Sequence, residues 1–234
     1  MDGIYEEKEK EHIGILSIDN NPNVGLFAFA NDKFCLVGYE ISNKDMASIG
    51  KVLDVPVYRI SIAGTSLIGV FCAGNSNTIV VPHIIQKQEE EKLTELGIEY
   101  KKIYSKITAL GNCITSNDNG AIVSSEFSEE EIDKISRSLG VRTKKGKISE
   151  LNTMGSCLEV NNRGGIVHRG IKGFELELLE DALGIEIVDG TVNMGNPYVG
   201  SGIITNSKGF IIGASSGGPE ITNADIALGF MKEE

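Results

Sequence analysis

The chain contains no tryptophan, and aromatic side chains make up 6% of its 234 residues, which removes the stacking platforms that single-stranded nucleic acids and sugars require. Proline is scarce at 5 residues. No apolar run approaches the roughly 20 residues that span a bilayer. The opening MDGIYEEKEKE has no hydrophobic stretch, so it is no signal peptide and a cytoplasmic address is expected. Four cysteines, Cys35, Cys72, Cys113 and Cys157, lie far apart without a Cys-x-x-Cys pair. That spacing argues against a zinc site and against a secreted disulfide framework, and leaves buried, reduced thiols as the expectation. Positive charge is also short: 22 Lys+Arg face 33 Asp+Glu, a formal charge of −11. The molecule as a whole therefore repels phosphate backbones and anionic membranes.

Glycine and apolar residues are plentiful, at 28 residues and 41% respectively. The glycines follow no collagen period and predict many tight turns, and the apolar content is enough for a buried core.

Self-comparison reveals a five-fold repeat. NVGLFAFANDKFCLVG, LIGVFCAGNSNTIVVP, ALGNCITSNDNGAIVS, TMGSCLEVNNRGGIVH and YVGSGIITNSKGFIIG align without gaps on Gly25, Gly69, Gly111, Gly155 and Gly200. An asparagine follows each glycine by six positions: Asn31, Asn75, Asn117, Asn161 and Asn206. Each unit reads as an apolar run, a polar tetrapeptide and a β-branched run, the signature of a hairpin whose turn Asn opens. Gly120, Gly164 and Gly209 at the turn's end are expected to adopt positive φ. Helices are predicted over Asn43–Leu53, Gln86–Leu96, Ser128–Leu139, Phe174–Leu183 and Ile221–Leu228. Four of them end in Leu-Gly, and the first ends in Leu53-Asp54. Strand-like segments follow the first four helices. The fifth unit lacks one, and His12–Val24 supplies a matching segment at the other terminus. Pairing of that segment beside unit five would close the array and protect its edges. The expectation is one closed α/β domain over 12–234, five ββαβ-like units about a pseudo-fivefold axis, preceded by a solvated acidic tail over 1–11.

SIAG (Ser61–Gly64), IVVP (Ile79–Pro82), ALGN (Ala109–Asn112), GGIVH (Gly164–His168) and DGTVNMG (Asp189–Gly195) together resemble the translation initiation factor 6 family, archaeal type, whose members have the pentein α/β-propeller fold. The resemblance implies binding to the intersubunit face of the large ribosomal subunit, at a ribosomal-protein surface near the sarcin–ricin loop. It also implies steric blockage of small-subunit joining, with no catalysis and no cofactor. A monomer is expected, because a closed array has no free sheet edge. Other penteins are guanidine-modifying hydrolases and transferases with a Cys nucleophile, which is the alternative reading. The cysteines here lie in strand-like runs, and neither His12, His83 nor His168 has an acidic residue two positions later, so structural thiols are expected.

Candidate ribosome contacts follow from the repeat. Leu26, Val70, Asn112, Ser156 and Ser201, each next to a repeat glycine, should form a ring near one end of the array, serving either as contacts or as small residues that let the units pack. The basic cluster Arg142, Lys144, Lys145 and Lys147 could touch rRNA phosphates or be a solvated strand face. VRTKKGKIS (Val141–Ser149) fails as a P-loop, with five residues between Gly140 and Gly146 instead of four and Ile148 where Ser or Thr must hold Mg²⁺. Gly195–Gly202 lacks the strand and helix context of a dinucleotide site. His83 and His168, without Cys or acidic partners at fixed spacing, make a poor metal pair.

Overall fold

The computed structural model describes residues 11–231. The expected tail over 1–11 lies outside them but for Glu11, which is exposed and ion-paired with Lys51 at 2.8 Å.

The chain opens with β1 (Ile13–Leu16). Unit one has a 3₁₀ turn (Val24–Leu26), β2 (Ala28–Ala30), β3 (Cys35–Val37), α1 (Asn43–Leu53) and β4 (Val57–Arg59). Unit two has a one-turn helix α2 (Ile68–Phe71), β5 (Ala73–Gly74), β6 (Ile79–Pro82), α3 (Lys87–Glu95) and β7 (Tyr100–Ile103). Unit three has α4 (Leu110–Cys113), β8 (Ile114–Ser116), β9 (Gly120–Ser124), α5 (Glu129–Leu139) and β10 (Arg142–Gly146). Unit four has α6 (Met154–Cys157), β11 (Leu158–Val160), β12 (Gly165–His168), α7 (Gly173–Leu183) and β13 (Ile187–Gly190). Unit five has α8 (Val199–Gly202), β14 (Ile203–Asn206), β15 (Gly209–Gly213) and α9 (Gly218–Ala227).

The result is a mixed α/β fold of five three-stranded sheets, consistent with a pentein-like architecture. In four of the sheets an antiparallel hairpin is followed by a third strand parallel to its second, because a helix carries the chain back across the sheet before it re-enters. The fifth sheet takes its third strand from the N-terminus, as expected. Ile13–Leu16 pair in parallel with Phe210–Gly213, and the His12 imidazole meets the buried Asp225 carboxylate of α9 at 2.8 Å.

The helices bury their apolar stripes on the sheets in five clusters. One joins Ile132, Ile135 and Leu139 of α5 to Val123 and Phe127, for instance. Ser128 caps that helix, its hydroxyl taking the Glu131 N–H while the Glu131 carboxylate takes the Ser128 N–H. The C-termini follow the Leu-Gly pattern: Gly97, Gly140, Gly184 and Gly229 have positive φ, and Asp54 adopts the same left-handed conformation in unit one.

The five repeat asparagines are buried and tie neighbouring units together. Each accepts two N–H bonds on Oδ1 from the residues two and three positions on, closing its own turn. Each also donates from Nδ2 to backbone of the next unit. Asn117 reaches the carbonyls of Asn161 and Leu183, Asn161 those of Asn206 and Leu228, and Asn206 those of Asn31 and Leu53. Asn31 reaches Asn75, and Asn75 reaches Leu139.

Three expectations are corrected. Gly120, Gly164 and Gly209 do not take positive φ. They are glycines because a Cβ would overlap the carbonyls of Ala182, Ala227 and Val52, each just before the terminal Leu of the neighbouring helix. Asn had already shaped the turn, so the glycine serves a backbone approach. Cys113 and Cys157 end one-turn helices instead of lying in strands. The last helix starts earlier than predicted, at Gly218, where Pro219 fits the first turn with no N–H to lose.

Candidate interaction face

The repeat glycines are the second residues of the five one-turn elements, which contact one another from unit to unit, that of unit five also meeting that of unit one. A Cβ on Gly69 would overlap the Gly25 carbonyl, on Gly111 that of Gly69, on Gly155 that of Gly111, on Gly200 that of Gly155, and on Gly25 that of Gly200. Each glycine is fixed by a neighbour's backbone.

This packing brings Leu26, Val70, Asn112, Ser156 and Ser201 together at one end of the molecule, all half-buried. Ser156 spends its hydroxyl on the Thr153 carbonyl. The Asn112 side-chain amide makes no hydrogen bond among the described residues, so its donors and acceptor face outward unspent.

Outside the ring lie connections that the sequence did not predict. After their third strands the chain makes tight turns in which Asp19 and Asn20, Ala63 and Gly64, Ser149 and Glu150, and Asn193 and Met194 hold positive φ. An acid twenty positions beyond a repeat glycine fastens three of these turns to the N-terminus of the next helix. Glu89 accepts the N–H groups of Ala63, Gly64 and Gln86. Glu175 accepts those of Ser149 and Lys172, and Glu220 those of Met194, Gly195 and Gly217. Burial opposes ionisation of Glu220, but these N–H groups and the Thr191 hydroxyl outweigh it and hold the carboxyl below its usual range. The regular Gly-to-acid spacing was present in the sequence and could have identified these residues.

The same end carries most of the exposed large apolar side chains. Tyr39, Ile84, Tyr104, Phe174, Met194 and Tyr198 all belong to its turns or first helical residues, with Met194 86% exposed. His83 stacks on Tyr104 and His168 meets Tyr198 edge-on, so each histidine packs on a ring and the two do not form a pair.

The basic cluster divides. Lys144 and Lys145 are ion-paired with Asp181 of α7 and Glu129 of α5, while Arg142 and Lys147 form no ion pair at contact distance among the described residues, Lys147 acting on the Glu150 carboxylate only through its charge. The cysteines are all buried. Desolvation pushes the Cys35 thiol up to about 12 and that of Cys113 up to about 11, the latter with help from Glu126, and raises Cys72 and Cys157 as well. A nucleophilic thiolate needs the opposite environment.

The sequence profile of the eIF-6 family matches residues 13–226. The chain belongs to the eIF-6 family. Relatives named translation initiation factor 6 include those of Pyrococcus furiosus, 48% identical over 94% of this chain and 100% of the relative, and Thermococcus gammatolerans, 47% identical over 94% and 99%. A third, from Haloquadratum walsbyi, is 33% identical over 92% and 96%. A solved agmatine deiminase from C. jejuni aligns with 52% of this chain and 49% of its own at 11% identity and a TM-score of 0.39, too slight a likeness to carry an argument. Membership of the eIF-6 family gives the chain a translation initiation factor role, and such factors are not enzymes. No helix among the described residues is long and apolar enough to cross a membrane.

Proposed function

We propose that the chain binds the intersubunit face of the large ribosomal subunit and prevents association with the small subunit, acting by bulk and slow dissociation. The observation that carries this reading, given the family, is the end of the molecule where the half-buried ring and six exposed apolar side chains occur together. Apolar groups concentrated on one surface mark an interaction site. Asn112, with its unspent amide, and Leu26, Val70, Ser156 and Ser201 are its centre, and the start of α9 is at its rim. A net charge of −11 suits a basic ribosomal-protein surface near the sarcin–ricin loop better than bare rRNA. Of the basic cluster, Arg142 and Lys147 are outside any contact ion pair and so the better placed for phosphate contact, Lys147 facing only the charge of Glu150, whereas Lys144 and Lys145 would first have to leave their carboxylates.

The same proposal takes 12–234 as one closed, monomeric, cytoplasmic pentein-type propeller. The glycine contact that runs from unit five back to unit one and the β1–β15 ladder support closure.

Sedimentation with separated and joined ribosomal subunits over a salt series tests the reading. Comigration with large subunits alone, together with loss of joining, is expected. A shallow salt slope would mark protein-led docking. Absence from every ribosomal fraction at low salt would overturn it.

A further inference from the structure

Of the four left-handed turns, one departs from the rest. Three are closed by a bridge between residues three apart, Ile18 with Asn21, Ile62 with Thr65 and Ile148 with Leu151, whereas Val192 meets Asn196, four apart. That longer turn carries Met194. Its φ is +65°, and its counterparts Asn20, Gly64 and Glu150 have +63°, +73° and +66°. All four are exposed. The counterparts suit the place, since glycine has no Cβ to clash and Asn and Glu are polar in water. Methionine does not: it puts a Cβ into a left-handed backbone and leaves an apolar chain 86% exposed, two penalties that folding alone does not explain. The backbone around it is firmly held. Glu220 accepts the N–H groups of Met194 and Gly195, Asn193 donates its amide to the Pro22 carbonyl, and the Ser216 hydroxyl accepts the Asn193 N–H. An outlier that its surroundings fix in place points to function.

The thioether is also the accessible oxidisable group on this face. Met154 is fully buried, Met46 packs against the core, and Met231, 48% exposed, lies beyond the far end of α9, whose start adjoins Met194. All four cysteines are buried, so a peroxide arriving here meets the Met194 sulfur before any thiol. Resting on the docking reading above, we propose that Met194 is an oxidation-sensitive anchor of the interaction face, and that conversion of its thioether to the sulfoxide by hydrogen peroxide weakens docking. The Sδ lone pair attacks one peroxide oxygen, the O–O bond breaks, and the other oxygen takes a proton and leaves as water, so that sulfur is oxidised and peroxide reduced. The product is polar where the partner surface must receive an apolar chain. Methionine sulfoxide reductases reverse the step, two thiols becoming a disulfide while the oxygen leaves as water.

Two readouts on the full chain test this, with the peroxide removed before any mixing. Peptide mapping by mass spectrometry should find Met194 oxidised before Met46 and Met154. Sedimentation with large subunits, each protein compared with its own untreated sample, should show about tenfold weaker binding for oxidised wild type, restored by the two reductases with dithiothreitol. M231L should lose as much as the wild type, and M194L should lose nothing on treatment, whatever its starting affinity. Unchanged binding of oxidised wild type, an equal loss in M194L, or Met194 oxidised no faster than Met154 would overturn the proposal. Untreated wild type absent from the large-subunit fraction would instead overturn the docking reading, and the regulation with it.

Discussion

Gly111 touches the carbonyl of Gly69, and alanine there places a methyl group on that oxygen. Neither backbone can yield, because each belongs to a one-turn helix held by neighbours on both sides. Gly111→Ala should therefore cost about 3 kcal/mol or more, as overpacking against a fixed wall does, read as a lower urea midpoint with unchanged slope. Gly97→Ala is the control. Nothing lies within 4 Å of a Cβ there, but φ is +68°, so the cost should be only the left-handed penalty of about 1 kcal/mol. The contrast marks what sequence reading reaches at this scale. Position in the repeat identified Gly111 and the asparagines as structural. It did not reveal why Gly120 must be glycine, since the carbonyl it meets comes from Ala182, in the next unit.

Among the elements, the long helices were legible because their apolar period, caps and terminal Leu-Gly pairs are local signals. Helix α1 begins and ends where the pattern placed it. The one-turn helices were not: four residues such as Ile68–Phe71 are too few to show a period, and their apolar content reads as strand. The left-handed turns before the helices were also missed, because three of them, at Ala63, Ser149 and Met194, are held there partly by acids far along the chain. Glu220 tests that account. Glu220→Ala leaves the N–H groups of Met194, Gly195 and Gly217 without their acceptor and should destabilise by about 1–2 kcal/mol at neutral pH. Its folded carboxyl titrates below the ordinary range, so the stabilisation is fully present above the unfolded value of about 4.3 and is lost as pH falls through the folded one. The gap between wild type and variant should be flat from pH 7 to 5 and narrow below that, measured by urea unfolding at each pH.

For the whole molecule, the decisive feature is that the first strand and the last unit complete each other. β1 gives unit five its third strand along four paired residues, and His12, just before it, binds Asp225 in the last helix and stacks on Phe230. Deleting residues 1–16 would leave β15 as an open edge running from Phe210 to Gly213, apolar and ready to pair with another chain. Four ladder residues at about 1 kcal/mol each put the loss near 4 kcal/mol, which for a chain of this length lowers the thermal midpoint by about 12 °C. The truncated protein should also aggregate on standing, visible as concentration-dependent light scattering, while the intact one does not. A circular permutant separates loss of sequence from loss of continuity. Joining the C-terminus to residue 11 and opening the chain in the exposed turn at Gly97 keeps every strand and helix, so it should recover most of the lost midpoint. Recovery would mean that the β1–β15 seam is one interface among five and that stability resides in the completed set of units. A permutant as unstable as the truncation would mean instead that the seam needs the native connection leading into β1.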